Sequence, residues 1–307
     1  MTAIHCLGPL VLDRIIEVDR LPGHDEKAFI SARREAAGGP PRNVAATLAG
    51  WGEQAVLISA IGDDPAGRLL LDFLAADGLA PEAIAVTAGM ATATTIIIVD
   101  ATGEKAILVD PIADAVLAGV GRDLAPAAGD TVVANFYHPG AVGAAFAAAA
   151  RCGAATVIDL ELPEIERWGW DAAFTAAAGA GMVLTNRQVL SAWMAREGIG
   201  GTIEDGAERL ARRLSGAAGR ACVTLGDRGL VACAAGRIIR LPALPVRPLD
   251  TTGAGDVLLA GFIRAERLGR GFDQALALAT AAAGLFLDSG RPAWAEVEAA
   301  ARRLADR

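Results

Sequence analysis

The rhythm of apolar and polar positions along this chain predicts alternating strands and helices. Ala3–Leu12 is almost continuously apolar and ends at Asp13, the pattern of a strand buried on both faces of a parallel sheet. Ile15–Val18 and Lys27–Arg34 alternate apolar with polar residues around Leu21-Pro22-Gly23, which predicts strands with one wet face. A second alternating pair, Thr92–Asp100 and Glu104–Val109, folds back around Ala101-Thr102-Gly103 as a hairpin. Between these pairs, Pro40 and Pro41 suit the start of a helix running through Ala49. Val56–Ile61 follows as a strand, and a turn carrying Asp63 and Asp64 leads into a helix over Arg68–Asp77. From Thr131 onward the strands Thr131–Phe136, Ala155–Leu160 and Met182–Thr185 alternate with alanine-rich helices, the βαβ rhythm of a parallel sheet. Ala221–Gly226 and Gly229–Ala232 read as a hairpin, and Gln274–Leu287 and Glu296–Leu304 as helices. The expected class is α/β.

Composition narrows the function. The 307 residues fit one large α/β domain or two smaller ones. The longest plainly apolar run, Ala141–Ala150, is about half of what a membrane-spanning helix needs, so no membrane role is expected. The N-terminus lacks a basic start and a clear cleavage site, which gives no signal peptide. A net charge of −8 argues against nucleic acid as a partner, because phosphate backbones attract basic surfaces. Only Lys27 and Lys105 among the 28 basic residues are lysine, so a phosphate-binding lysine would be one of these two. Cys6, Cys152, Cys222 and Cys233 form no C-x-x-C pair, which predicts free thiols in a reducing, cytoplasmic setting.

The stretch Asp250-Thr251-Thr252-Gly253-Ala254-Gly255-Asp256, feeding the helix that begins at Val257, carries the chemistry. Glycines allow positive φ and close approach of an anion, and the first helical turn offers free N–H groups and the positive end of the dipole. Asp256 lies in that turn, which sets a proton acceptor beside an anion site, the pairing that phosphoryl transfer to a hydroxyl requires. A turn with a plain helix cap would use the same residues. Upstream, Gly38-Gly39-Pro40-Pro41-Arg42-Asn43 offers a second glycine turn, with an asparagine able both to donate and to accept toward hydroxyls. Arg42, if it faces the pocket, implies an anionic group on the substrate. The marks of other phosphate and hydrolytic sites are absent: G-x-x-x-x-G-K-[ST], G-x-G-x-x-G after the first strand, H-R-D with D-F-G, H-E-x-x-H and G-x-S-x-G.

Together the Asp250–Asp256 stretch and the Gly38, Gly39, Asn43 spacing resemble the two signatures of the PfkB/ribokinase family of carbohydrate kinases, and the resemblance runs over nearly the whole chain. It implies a ribokinase-like three-layer α/β/α fold with a mostly parallel central sheet, in one kinase domain over 1–307. A small β lid over the sugar is inserted at about 14–36 and 91–110. Such hairpins need a cover or a partner chain, which makes a homodimer through the lid an expectation. By resemblance, Asp256 is the catalytic base, and the backbone of Gly253, Ala254 and Gly255 holds the γ-phosphate of ATP. Asp13, Gly38, Gly39 and Asn43 bind the sugar. Asn186, Thr224, Gly226 and Gly229 serve the nucleotide and Mg²⁺, Gln274–Leu287 walls the adenine site, and Asp250 and Thr252 help hold a monovalent cation such as K⁺. Two positions depart from the pattern. Glu161 stands where an asparagine is usual, two residues after Asp159, and Val189 replaces the glutamate of the Asn-x-x-Glu element that begins at Asn186, which bears on Mg²⁺. A nucleoside kinase of the same fold, or a sugar-binding relative without catalysis, is the alternative reading.

Overall fold

The computed structural model describes residues 2–246 and 251–305. Its strands are β1 (Ile4–Leu7), β2 (Val11–Val18), β3 (Ile30–Gly38), β4 (Ala55–Gly62), β5 (Ile84–Thr87), β6 (Thr94–Val99), β7 (Lys105–Asp110), β8 (Thr131–Asn135), β9 (Ala155–Leu160), β10 (Met182–Asn186), β11 (Arg220–Thr224), β12 (Leu230–Ala234) and β13 (Arg237–Leu241). Nine of them form one sheet in the order β13-β12-β11-β10-β9-β8-β1-β4-β5, parallel from β11 to β5 and antiparallel at β12 and β13. The other four form a second sheet in the order β3-β2-β6-β7.

Helices cover both faces of the large sheet, as a parallel sheet buried on both sides requires. Side chains alternate faces along a strand, and the core sorts accordingly. Val133, Val157, Met182, Leu184 and Cys222 face a cluster built with the helices Pro40–Gly50, Ala254–Arg267 and Phe272–Ser289. Val132, Ala134, Ile158, Val183 and Val223 face the opposite cluster, built with the helices Pro139–Cys152, Trp170–Ala178 and Ile203–Ala218. The alanine-rich composition of the first group is a packing device. A Cβ on Gly261 would stand 3.1 Å from the Cα of Ala279, so Ala254–Arg267 and Phe272–Ser289 meet almost backbone to backbone.

The strand expected over Ala3–Leu12 is two strands. β1 ends at Leu7, Gly8 takes φ +145°, and after Pro9 the chain leaves the large sheet to become β2 of the second. The apolar run is unbroken because Leu10 and Leu12 are buried beneath the crossing. Asp13 therefore lies on β2, not at the carboxyl end of β1. β5 and β13 were not expected. β5 is short and half exposed, and β13 carries arginines at both Arg237 and Arg240. Cys6, Cys222 and Cys233 are buried in strands, and all four cysteines are free thiols.

Candidate active site

The parity that sorts the core also assembles a row of polar groups. Asn135, Asp159, Asn186 and Thr224 lie at or next to the carboxyl ends of β8, β9, β10 and β11, on the face covered by the helices Pro40–Gly50 and Ala254–Arg267. Asn135 is paired in register with Asp159, and Asn186 with Thr224. Ligands of open parallel sheets gather at this edge.

Gly253 supplies the turn into the helix Ala254–Arg267. It takes φ +82°, a left-handed conformation that favours glycine, and its carbonyl accepts from the N–H of Val257 at 3.0 Å. The first-turn N–H groups of Gly255 and Asp256 have no backbone partner among the described residues, the arrangement that suits an anion. Asp256 is only 8% exposed, and burial pushes its carboxyl up to about 7. One bond opposes that shift: Asn43 Nδ2 donates to Asp256 Oδ2 at 2.8 Å. The expected sugar-binding asparagine thus touches the expected base directly.

Asp13 accepts from the Thr95 hydroxyl of the adjoining strand β6. Burial raises its carboxyl, while Thr95 and the charges of Arg42 and Arg34 pull it down. Gly38 leaves the room that the Asp13 carboxylate occupies, and Gly39, at φ +103°, lets the returning strand pass Pro9. Arg42 is ion-paired with Asp77 and donates to Asn43 Oδ1 at 3.2 Å, so its charge is matched within the chain and not held out for a substrate anion.

Asp159, Glu161 and Glu164 crowd the same end of β9. Burial, then the charges of Glu161, Asp256 and Glu164, raise Asp159 well above its usual range. Glu161 is pushed up to about 8 by burial and by Glu164 and Asp256. Among the described residues no cluster of His, Cys, Asp or Glu is placed to hold a metal ion by itself. Asn186 caps the helix Arg187–Glu197, its Oδ1 accepting from Gln188 N at 2.9 Å and Val189 N at 3.1 Å. Val189 is 2% exposed and packs in the core, away from any solvent-borne ion. Gly226 and Gly229 bracket a short 3₁₀ turn after β11, and a Cβ on Gly229 would lie 2.0 Å from the Leu241 carbonyl.

Thr252 accepts from the Lys105 ammonium at the start of β7, so the hydroxyl assigned to a monovalent cation faces a cation of the chain's own. Asp250 lies outside the described residues. Three participants escaped sequence reading: Thr95, Asp77 and Asn135. Asn135 had a signal, a lone polar residue closing the apolar run of β8. It is 4% exposed, its Oδ1 has no partner among the described residues, and it lines a narrow cavity with Asp159, Asp256, Pro41 and Leu259.

Comparison with known proteins gives the family. The model of the pfkB family carbohydrate kinases matches residues 1–292, and the chain belongs to that family. It is 29% identical over 293 residues to the ATP-dependent ribose-1-phosphate kinase of Halopiger xanaduensis, covering 93% of this chain and 92% of the relative. It is 30% identical over 262 residues to a fructokinase of Klebsiella pneumoniae, covering 80% of each. Its fold matches a crystal structure of ribokinase from Thermotoga maritima with a TM-score of 0.80 at 23% identity, over 98% of this chain and 100% of the other. The protein is therefore a carbohydrate kinase with the ribokinase fold. No helix among the described residues is long and apolar enough to cross a membrane.

Proposed function

We propose that this chain transfers the γ-phosphate of ATP to a hydroxyl of a small sugar or sugar derivative, with Asp256 as the catalytic base. One observation carries the assignment: a buried carboxylate, raised to about 7, stands in a helical first turn beside two N–H groups with no backbone partner among the described residues. Asp13 and Asn43 bind the sugar hydroxyls, with Gly38 and Gly39 shaping their approach. The attacking oxygen forms a bond to the γ-phosphorus, the bond to the ADP oxygen breaks, and the hydroxyl proton passes to Asp256. The N–H groups of Gly255 and Asp256 meet the charge on the moving phosphate, which supplies positioning and electrostatic stabilisation. Asn186, Thr224, Gly226 and Gly229 border the nucleotide.

Mg²⁺ brought by the nucleotide would supply charge neutralisation at the phosphates, with Asn186 the residue that borders them. Use of K⁺ would rest on Asp250 and Thr252. The second sheet acts as a lid over the sugar within one kinase domain. Its Ile107, Leu108 and Val109 are exposed on the edge strand β7, which supports a homodimer formed through this sheet. The free buried thiols favour a cytoplasmic location.

The test is ADP release from ATP and Mg²⁺ across sugars, sugar acids and nucleosides, with and without K⁺, using Asp256→Asn as the blank. A responder that vanishes in the variant is expected. Silence across the panel, with thermal stabilisation by a sugar and none by ATP, would instead identify a binding protein.

A further inference from the structure

Arg42 is an expensive residue to keep where it is. It sits in the first turn of the helix Pro40–Gly50, where the helix dipole disfavours a cation. Its side chain is largely withdrawn from water, and its Nε is buried with no partner among the described residues. A methionine of similar length would avoid these costs, leaving Asp77 to its second partner, Arg291. Two donations remain as its use: Nη2 to Asp77 Oδ2, and Nη1 to Asn43 Oδ1 at 3.2 Å.

The second donation sets a direction. A guanidinium only donates and an ionised carboxylate only accepts. The Asn43 atom facing Arg42 must therefore be the carbonyl oxygen, and the atom facing Asp256 must be the amide nitrogen, as found. The Asn43 backbone is held independently, its N–H donating to Gly39 O at 3.1 Å and its carbonyl accepting from the Thr47 hydroxyl at 2.8 Å. What Arg42 adds is the sense of the amide. Without it, a half-turn of the side chain would aim an oxygen at the Asp256 carboxylate.

We propose that Arg42 is a positioning residue for Asp256, acting through Asn43, in a one-way chain of hydrogen bonds that starts at Asp77. The chain keeps Asp256 Oδ2 occupied by a donor and leaves Oδ1 to receive the proton. This role rests on the proposed function of Asp256 as a base, but the relay itself can be read without turnover. Among the described residues, the other charged groups around Asp256 are Asp159 and Glu161 at the end of β9, with Glu164 beside them. They stay in place in every variant below.

The experiment is a carbon-13 carboxyl NMR titration of Asp256 in the full chain, with Asp256→Asn identifying the signal. In Arg42→Met the midpoint is expected to rise by about one pH unit, because a charge-assisted donor is lost. Arg42→Lys, which can still donate to Asn43, should stay within a few tenths of the native chain. An unchanged midpoint in Arg42→Met, or an equal rise in both variants, overturns the relay. Should Arg42→Met fail to fold, Asp77→Asn takes its place, with a smaller rise expected and no rise overturning the proposal. Failure of the base assignment shows separately, as turnover that survives Asp256→Asn.

Discussion

A Cβ on Gly38 would stand 2.1 Å from Oδ2 of Asp13, closer than any real contact allows. The two residues lie on neighbouring antiparallel strands, β3 and β2, and the carboxylate fills the space that a side chain would need. Gly38→Ala must therefore displace Asp13 from its place beside Thr95. Overpacking of this kind costs about 1–3 kcal/mol of stability. If Asp13 binds sugar hydroxyls, KM for the sugar should rise roughly tenfold or more, with a smaller change in KM for ATP. Steady-state kinetics with a thermal melt would check this, and an unchanged sugar KM would remove Asp13 from the sugar site.

Asp256 should leave a signature in the pH profile. A base must be unprotonated to accept, and this carboxyl is pushed up to about 7. The sugar kcat/KM should therefore fall about tenfold per pH unit below that value and level off above it. A plateau extending down to pH 5 would contradict the assignment.

The same shift has a cost in stability, with a definite sign. The folded chain keeps the Asp256 proton up to about 7, whereas the unfolded chain releases it near the ordinary 3.8. The group's contribution is full below about 3.8 and is lost as pH rises through 7. Asp256→Asn cannot ionise, so it should exceed the native chain in stability at pH 8, by on the order of 1–3 kcal/mol, and match it near pH 4. Denaturant melts at the two pH values test this. Turnover of the same variant should fall about 10²–10⁴-fold, with sugar binding retained in calorimetry.

Val189→Glu would write the family's glutamate back into the sequence, yet it should not improve the enzyme. Val189 is buried in the core, so the carboxylate would enter an apolar site with no partner. A loss of roughly 3–5 kcal/mol is expected, with no gain in Mg²⁺ affinity. A variant that binds Mg²⁺ more tightly at native stability would show that this helix can turn to face the phosphates.

Leu108, 59% exposed at the centre of β7, tests the association proposed for the second sheet. Light scattering should give the mass of a dimer for the native chain and of a monomer for Leu108→Asp. A native monomer would leave that face to another role.

The parts of the site that were legible in the sequence are those that the local chain decides. Gly253 must turn with positive φ and Asp256 must fall in the first helical turn, whatever lies across the molecule. The β7 alternation and the β9 apolar run were equally local. What could not be read was pairing at a distance. Asn43 finds Asp256 from 213 residues away, and Arg42 finds Asp77 from 35. Asp13 was misplaced for a different reason: Gly8 and Pro9 interrupt the backbone of Ala3–Leu12 without interrupting its hydrophobicity.

That crossing also sets how motion of the second sheet would be felt. Its outgoing path, Gly8 to Leu10, and its returning path at Gly39 are pinned together, since a Cβ on Gly39 would fall 2.2 Å from the Pro9 carbonyl. Together they form a fulcrum at the base of β2. With β2 about 26 Å long, a tilt of about 10° would sweep its far end through about 4–5 Å and move Asp13 by only about 1 Å. If the second sheet closes over the site as proposed, it would act as a long arm, and Asp13 near its base would be geared down to a fine adjustment.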